Sequence, residues 1–174
     1  ALSETTVVAF TSDHGEELFD HGWIGHGHAL HEELLRVPLV LAGPGISRGL
    51  RIPTPVSTRH LGPTLARLGG AKLSAASDAL FLVDAAGVPR QALFFDTRKG
   101  RWNGLAPVSI FGLLQDDWLL CIAPTGQRGA RPTPVALDGP ELSLRHFSTS
   151  PSDVADRAAL EPERARAMRS RIEA

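Results

Sequence analysis

The stretch that decides the fold is TVVAFTSDHG, residues 6–15. Residues 6–11 are short, apolar and rich in β-branched side chains, which is typical of a strand buried on both faces of a parallel sheet. Asp13 and His14 follow where this strand ends. Because ligands of open α/β sheets bind beyond the carboxyl ends of the strands, these two side chains mark a candidate site.

The segments that follow continue the α/β pattern. A loop rich in His and Gly leads into a short helix predicted over residues 28–35, and residues 37–42 (VPLVLA) predict a second buried strand. Ser57 occupies the N-cap position of another helix, which ends at Gly69. We therefore predict that residues 1–89 form an α/β unit with a mostly parallel sheet and flanking helices.

The second half of the chain has a different pattern. Short apolar runs predict four strands, over residues 92–96, 108–114, 118–123 and 141–147. Residues 157–173 predict a helix rich in Arg, Glu and Ala. We predict that residues 90–174 form a small α+β subdomain with an antiparallel sheet.

Composition excludes several classes of protein. The 174 residues carry 18 basic and 19 acidic side chains without a basic block, which argues against nucleic acid as the main partner. No apolar stretch is long enough for a transmembrane segment. Cys121 is the single cysteine, so no intrachain disulfide forms. The start lacks an initiator Met and a signal-like segment, and we expect the chain to be part of a larger protein.

Five of the seven histidines lie within residues 14–31, among several Asp and Glu residues. Imidazole and carboxylate groups bind divalent cations, and both must be deprotonated to do so. Such a cluster therefore favours metal-assisted chemistry. The alternative is a polar, solvated loop, because no spacing here matches a zinc-finger pattern.

The order of residues in this region resembles the sulfatase family of the alkaline phosphatase superfamily. The matching segments are 11–17 (TSDHGEE), 21–22 (HG), 25–27 (GHG) and 32–40 (EELLRVPLV). Weaker similarity continues over residues 56–68 and 144–158, so the resemblance covers nearly the whole chain. It implies that residues 1–89 are the C-terminal part of an alkaline-phosphatase-like catalytic domain.

The resemblance also implies a metal site. The family binds one divalent cation, usually calcium, through two carboxylates nearer its N-terminal end and a pair that Asp13 and His14 match here. Calcium prefers oxygen ligands, so manganese and zinc remain alternatives for a site that includes an imidazole. His26 falls where many sulfatases place a lysine that contacts the sulfate, and where some relatives, including phosphoethanolamine transferases, place a histidine.

Other polar residues nearby have weaker assignments. His21, His28 and Arg36 are expected to flank the site and to contact its residues rather than the ion. Glu16 and Glu17 are interpreted as charges of a helix start or a loop rather than as catalysts. His31 occupies a position where the family usually has an aromatic residue, and it is interpreted as a packing residue.

By this resemblance the protein would hydrolyse the sulfate ester of a small molecule or glycan through a formylglycine nucleophile. The family's nucleophile motif, C/S-x-P-S/A-R, does not occur in this sequence, and Cys121 is followed by Ile122-Ala123-Pro124 instead. We expect the N-terminal half of the same protein to supply the nucleophile, and this chain alone to be inactive. Periplasmic or secreted export is common in the family, but the compartment stays open.

Two alternatives are kept. One is a phosphodiester or phosphonate hydrolase, or a phosphoethanolamine transferase, of the same superfamily, because sulfate and phosphoryl groups are both tetrahedral oxyanions. The other is a non-catalytic or degenerate module that lacks the nucleophile.

Overall fold

The structure, a computed structural model, describes residues 4–22, 24–72, 82, 92–99, 108–123, 142–147 and 156–174. Its chain divides into two compact units, one of residues 1–13 and 38–91 and the other of residues 14–37 and 92–174. The predicted boundary near residue 89 falls outside the described residues, and the two-domain division stays a prediction.

The first unit contains strand β1 (Val8–Thr11) and strand β4 (Leu39–Ala42), which pair with Val8 opposite Ala42 and Thr11 opposite Leu39. The pairing is antiparallel, which corrects the parallel arrangement expected for these two strands. A short apolar run specifies a strand but does not specify the direction of its neighbour. The connection between them leaves and re-enters the pair at the same end, as an antiparallel pair requires.

The side chains of β1 and β4 alternate along each strand between an exposed and a half-buried face. Phe10, for example, is 62% exposed, and its cross-strand partner Val40 lies beside it on the same exposed face. Among the described residues, therefore, this pair is covered on one face and not on both as the sequence predicted. Apolar side chains stand on both faces of these strands, so the sequence pattern does not identify the covered face.

The helical part of the first unit follows the sequence prediction. Ser57 caps a 3₁₀ turn over Thr58–His60 through a hydrogen bond from the Arg59 amide to its hydroxyl oxygen. Helix α2 (Leu61–Leu68) continues from this turn and is followed by Gly69 and Gly70.

The second unit is built on a four-stranded antiparallel sheet, as predicted. Its strands lie in chain order: β5 (Leu93–Lys99), β6 (Val108–Gln115), β7 (Trp118–Ile122) and β8 (Leu142–His146). The turn between β6 and β7 places Asp116 and Asp117 at positive φ, a conformation that Asp tolerates better than most residues.

The helix predicted over residues 157–173 forms as α3 (Pro162–Glu173), and it packs against this sheet. Its Ala165 and Met168 join the core of the sheet. Pro162 begins the helix at a position where a missing backbone N–H costs no intrahelical hydrogen bond. The sheet contributes Leu113, Leu120 and Leu144 to this core, and all three are fully buried.

The second unit also includes residues 14–37, which carry most of the candidate site. They form a short hairpin of β2 (Glu17–Leu18) and β3 (Ile24–Gly25), followed by helix α1 (Glu32–Leu35). Leu30 anchors this segment by packing with Ile110, and Gly112 leaves the space that the Leu30 side chain occupies. A Cβ at Gly112 would lie 2.9 Å from Leu30 Cδ1, so the Leu30 side chain would have to shift to make room for it.

The longest helix among the described residues has 12 residues, fewer than the roughly 20 needed to cross a bilayer.

Candidate functional site

Asp13 lies two residues beyond the end of β1, as predicted from the sequence. Its carboxylate is exposed, and Oδ1 accepts a hydrogen bond of 3.4 Å from the Ser12 hydroxyl. Asp13 is the last residue of its segment in the first unit, and His14 is the first residue of the second. The role of Asp13 as a metal ligand stays a prediction.

The position of His14 is fixed by Gly15. His14 Nδ1 lies 2.8 Å from the Gly15 carbonyl oxygen. A carbonyl only accepts, so Nδ1 carries the proton, and in the neutral ring Nε2 then presents its lone pair. Gly15 itself lies against α1: its amide donates to the Leu34 carbonyl at 2.9 Å, and a Cβ on Gly15 would stand 1.8 Å from the Glu33 carbonyl oxygen.

The structure brings His26 to His14, although twelve residues separate them in the sequence. The two imidazole rings lie 3.9 Å apart, centroid to centroid, with 30° between their planes. His26 Nδ1 donates to the Glu16 carboxylate at 3.1 and 3.2 Å. We call His14, Glu16 and His26 the exposed cluster; their ligand-type atoms all lie within 4.8 Å of one another, on the surface.

Behind this surface lies a second group centred on Glu17, which is fully buried. Its Oε1 accepts hydrogen bonds from Nδ1 of His21 and Nδ1 of His31, each at 2.7 Å. Its Oε2 accepts from Nε2 of His28. With Glu33, whose Oε2 lies 3.8 Å from His21 Nδ1, these residues form what we call the buried cluster.

Burial sets the protonation of the buried cluster. Burial, reinforced by the nearby charge of Arg145, lowers the pKa of His31 to about 4, although its hydrogen bond to Glu17 acts in the opposite direction. Burial alone would raise the pKa of Glu17, but hydrogen bonds from His31, His28 and His21 outweigh it and hold that pKa below its usual value. At neutral pH, Glu17 is therefore a carboxylate and His31 is a neutral imidazole.

These positions correct the interpretation of Glu17 made from the sequence and extend that of His31. Glu17 is not a charge of a solvated loop, because β2 turns its side chain into the interior, where it accepts three hydrogen bonds. His31 does pack in the interior, but it also donates to Glu17. A signal was present in the sequence: four histidines follow Glu17 within fourteen residues, each able to donate an N–H, and three of them do so.

The predicted flanking residues have contacts of their own. His21 and His28 both contact Glu17 and belong to the buried cluster. Arg36 instead pairs with Glu32 at 2.8 Å, and its guanidinium lies 5.5 Å from the centre of the Phe147 ring. Burial raises the pKa of Glu32, and the charge of Arg36 opposes that effect. Arg36 therefore joins α1 to the end of β8, while its expected contact with the site stays a prediction.

Comparison with known proteins gives concordant results. The model of the sulfatase family matches residues 1–71. The chain is 36% identical over 72 residues to arylsulfatase K of Mus musculus, covering 41% of this chain and 13% of that protein. It is 42% identical over 73 residues to the choline-sulfatase of Rhizobium meliloti, covering 41% of this chain and 14% of that one.

The fold match extends further than the sequence match. The solved structure of the yidJ protein from Bacteroides fragilis covers 97% of this chain with a TM-score of 0.72 and 19% identity, and the chain spans 35% of that structure. This match confirms the predicted α/β fold with its small antiparallel subdomain. The chain spans only 13–14% of the length of the two curated relatives given above. By the match of residues 1–71, and by 30% identity over 122 residues (68% of this chain, 24% of that protein) to the uncharacterized sulfatase YidJ of Escherichia coli, the chain belongs to the sulfatase family.

Proposed function

We propose that this chain forms part of a metal-dependent sulfuric ester hydrolase, in which Asp13 and His14 hold the cation and His26 contacts the sulfate. The observation that carries this proposal is the hydrogen bond from His14 Nδ1 to the Gly15 carbonyl. With the proton on Nδ1, Nε2 is the nitrogen of the neutral ring that can bind a cation. Metal-bound imidazoles usually donate their other N–H to a carbonyl or carboxylate in this way.

The donor set fits a divalent cation. Asp13 contributes carboxylate oxygens and His14 an imidazole nitrogen, a combination that suits manganese or zinc as well as calcium. A cation bound there would polarise the ester and neutralise negative charge on the sulfate.

The exposed cluster supports a separate role for His26. Because Nδ1–H donates to Glu16, Nε2 is the nitrogen that we assign to a sulfate oxygen. Donation from Nε2 requires a second proton, and an imidazolium between the Glu16 carboxylate and a sulfate would donate to both. Such a donor stabilises charge that develops on the transferred group.

The remaining parts of the active site belong, in this proposal, to the N-terminal half of the same protein. The short span of the chain against its relatives supports this assignment. The names arylsulfatase and choline-sulfatase support sulfate esters of small molecules as substrates, and glycan sulfates present the same group. A phosphate or phosphonate ester is the rival substrate, because its tetrahedral oxyanion would meet the same two side chains.

The test uses the protein with its N-terminal half, loaded in turn with calcium, manganese or zinc. Sulfate release from an aryl sulfate is compared with hydrolysis of the matching aryl phosphodiester, and we expect the sulfate ester to be the better substrate. His26→Ala should lower kcat by roughly 100-fold with the metal content unchanged. His26→Lys should recover part of that loss, because a protonated lysine also donates to an oxyanion.

Asp13→Ala serves as the contrasting variant, because it should lose bound metal together with activity. Full activity of His26→Ala at unchanged metal content would remove His26 from the mechanism. Preference for the phosphodiester would replace the sulfatase assignment with the rival one.

A separate experiment tests whether the N-terminal half supplies residues that catalysis requires. The 174-residue chain alone should release no phenol from an aryl sulfate above a heat-treated control with any of the three metals, because covalent catalysis needs an activated nucleophile. Clear turnover would show that the chain carries a complete site.

A further inference from the structure

The buried cluster contains more acceptor atoms than its hydrogen bonds satisfy. Glu17 accepts from three imidazoles, so both of its oxygens are used. Three further buried atoms of this cluster, among the described residues, have no hydrogen-bond partner: His31 Nε2 and both carboxylate oxygens of Glu33. Glu33 Oε2 lies 3.8 Å from His21 Nδ1, which is an ion-pair distance and too long for a hydrogen bond.

Unpartnered carboxylate oxygens in the interior are costly. Burial of an ionised carboxylate without compensating charge or donors costs several kcal/mol, and buried polar atoms nearly always have partners. Glu17 and Glu33 together place two carboxylates in one pocket whose side chains are at most 14% exposed. Histidine N–H groups compensate Glu17, while His21 Nδ1 lies 3.8 Å from Glu33 Oε2. A cation bound between these side chains would give the Glu33 oxygens the partner that they lack.

We propose that the buried cluster binds one transition-metal ion of the zinc class, with Glu17, His21 and His31 as ligands and Glu33 as the fourth. This site is distinct from the cation site assigned to Asp13 and His14. Two imidazole nitrogens and two carboxylate oxygens form a donor set that zinc accepts in tetrahedral geometry. The ligand atoms of Glu17, His21 and His31 already lie within 4.8 Å of one another.

The present contacts between these groups are hydrogen bonds. Each Nδ1 lies 2.7 Å from Glu17 Oε1, a hydrogen-bond length, whereas tetrahedral ligands at about 2.0–2.1 Å from zinc stand roughly 3.3 Å apart. Binding would open these contacts by about half an ångström, and each neutral imidazole would move its single proton from Nδ1 to Nε2, so that Nδ1 presents its lone pair to the ion. His28 keeps its hydrogen bond to Glu17 Oε2 and orients that carboxylate from outside the ligand set.

The ion would join the parts of the segment that carries the exposed cluster. Glu17 lies in β2, His21 in the turn after it, and His31 and Glu33 at the start of α1. Metal binding would therefore hold the hairpin to the helix and contribute to folding stability, as structural zinc sites do.

The test measures zinc retention in the Asp13→Ala/His14→Ala double variant, which removes the ligands of the other proposed cation site. The purified protein is incubated with zinc, desalted over a chelating resin, and analysed by inductively coupled plasma mass spectrometry. We expect one zinc per chain. Adding His21→Gln and His31→Gln should remove it, and adding His28→Gln should weaken zinc binding by about 10- to 100-fold.

If the glutamine variants do not fold, binding of Co²⁺ to a protein that keeps all four proposed ligands still tests the proposal. In the Asp13→Ala/His14→Ala protein with an intact buried cluster, Co²⁺ should give the visible absorption of a tetrahedral site, and zinc should raise the melting temperature. Absence of retained zinc and of the tetrahedral cobalt spectrum in that protein would overturn the proposal and leave a hydrogen-bonded hub without metal. Undiminished zinc retention in a folded His21→Gln/His31→Gln variant would also overturn it. Neither result bears on sulfatase activity, which has its own assay.

Discussion

The exposed and buried clusters arise from one segment, residues 14–33, and from the same two residue types, yet they differ in environment. Glu16 and Glu17 are neighbours in the chain, but the Glu16 side chain is 46% exposed and the Glu17 side chain is fully buried. Glu17 begins strand β2, in which successive side chains point to opposite faces. One step along the backbone therefore separates a surface partner of His26 from an interior partner of three histidines.

The difference in burial changes what each hydrogen bond contributes. An exposed carboxylate–imidazole contact such as that between Glu16 and His26 contributes at most about 1 kcal/mol, because solvent screens it. Removing one partner from a buried charged network costs roughly 3–5 kcal/mol, since the other groups stay buried without a partner. The exposed cluster is thus suited to contact a substrate, and the buried cluster is suited to hold the segment in shape.

The largest expected effect comes from Gly15, on which both clusters depend. Gly15→Ala would place a Cβ 1.8 Å from the Glu33 carbonyl oxygen, so the start of the segment would have to leave α1. We expect a loss of about 4 kcal/mol or more in the free energy of unfolding, measured by urea denaturation. Gly62→Ala is the matched control, because its Cβ meets no atom within 4 Å and alanine favours a helix. Equal stability of the two variants would contradict the close packing at Gly15.

The next largest effect is a difference in stability between variants of the buried cluster and of the exposed cluster. Glu17→Ala leaves His21, His28 and His31 without their common acceptor, and we expect it to lower the free energy of unfolding by roughly 3 kcal/mol. Glu16→Ala, the adjacent control, should change that free energy by no more than about 0.5 kcal/mol. Similar losses in both variants would show that burial does not distinguish the clusters.

A smaller effect, on catalysis alone, is expected from Glu16→Gln in the protein with its N-terminal half. The substitution keeps an oxygen that accepts from His26 Nδ1 but removes the negative charge. Because residues that orient a functional histidine typically contribute 10- to 100-fold, we expect kcat to fall by about 10-fold with an unchanged melting temperature. An unchanged kcat would indicate that Glu16 does not orient His26.

Local patterns in the sequence predicted most of the fold. Ser57 caps its helical turn, the four strands of the second half form as expected, and Met168 buries the apolar side of α3. The direction of β4 relative to β1 was not predictable in this way, because strand direction depends on the path of the intervening chain. The sequence predicted that both faces of this strand are buried, and the exposure of Phe10 contradicts that prediction. An apolar side chain does not show which other elements pack against it.

The candidate site was predicted less completely. The order of residues around His14 and His26 pointed to the surface where they meet, because family resemblance preserves such an order. The buried cluster depends on a one-residue choice of face at Glu17 and on a contact across fourteen residues to His31. Residue propensities and spacing carry little information on the face to which Glu17 points or on its contact with His31. The sequence analysis therefore interpreted Glu17 as an ordinary surface charge.

The smallest effect concerns Cys121, which can report whether the segment with both clusters stays on the sheet. Its thiol packs in the same group as Leu30 and Ile110, and burial raises its pKa to about 11. At pH 8 only roughly one thiol in a thousand would be ionised, and the thiolate is the reactive form. Alkylation by iodoacetamide should therefore be slow in the folded protein and rise about tenfold for each pH unit up to that pKa.

In Glu17→Ala the segment should detach more often and expose Leu30 and Cys121, so alkylation at pH 8 should be several-fold faster. Glu16→Ala should react at the original rate, because its change lies on the exposed side. If both variants alkylate at the same rate as the unmodified protein, the buried cluster does not hold Leu30 on the sheet.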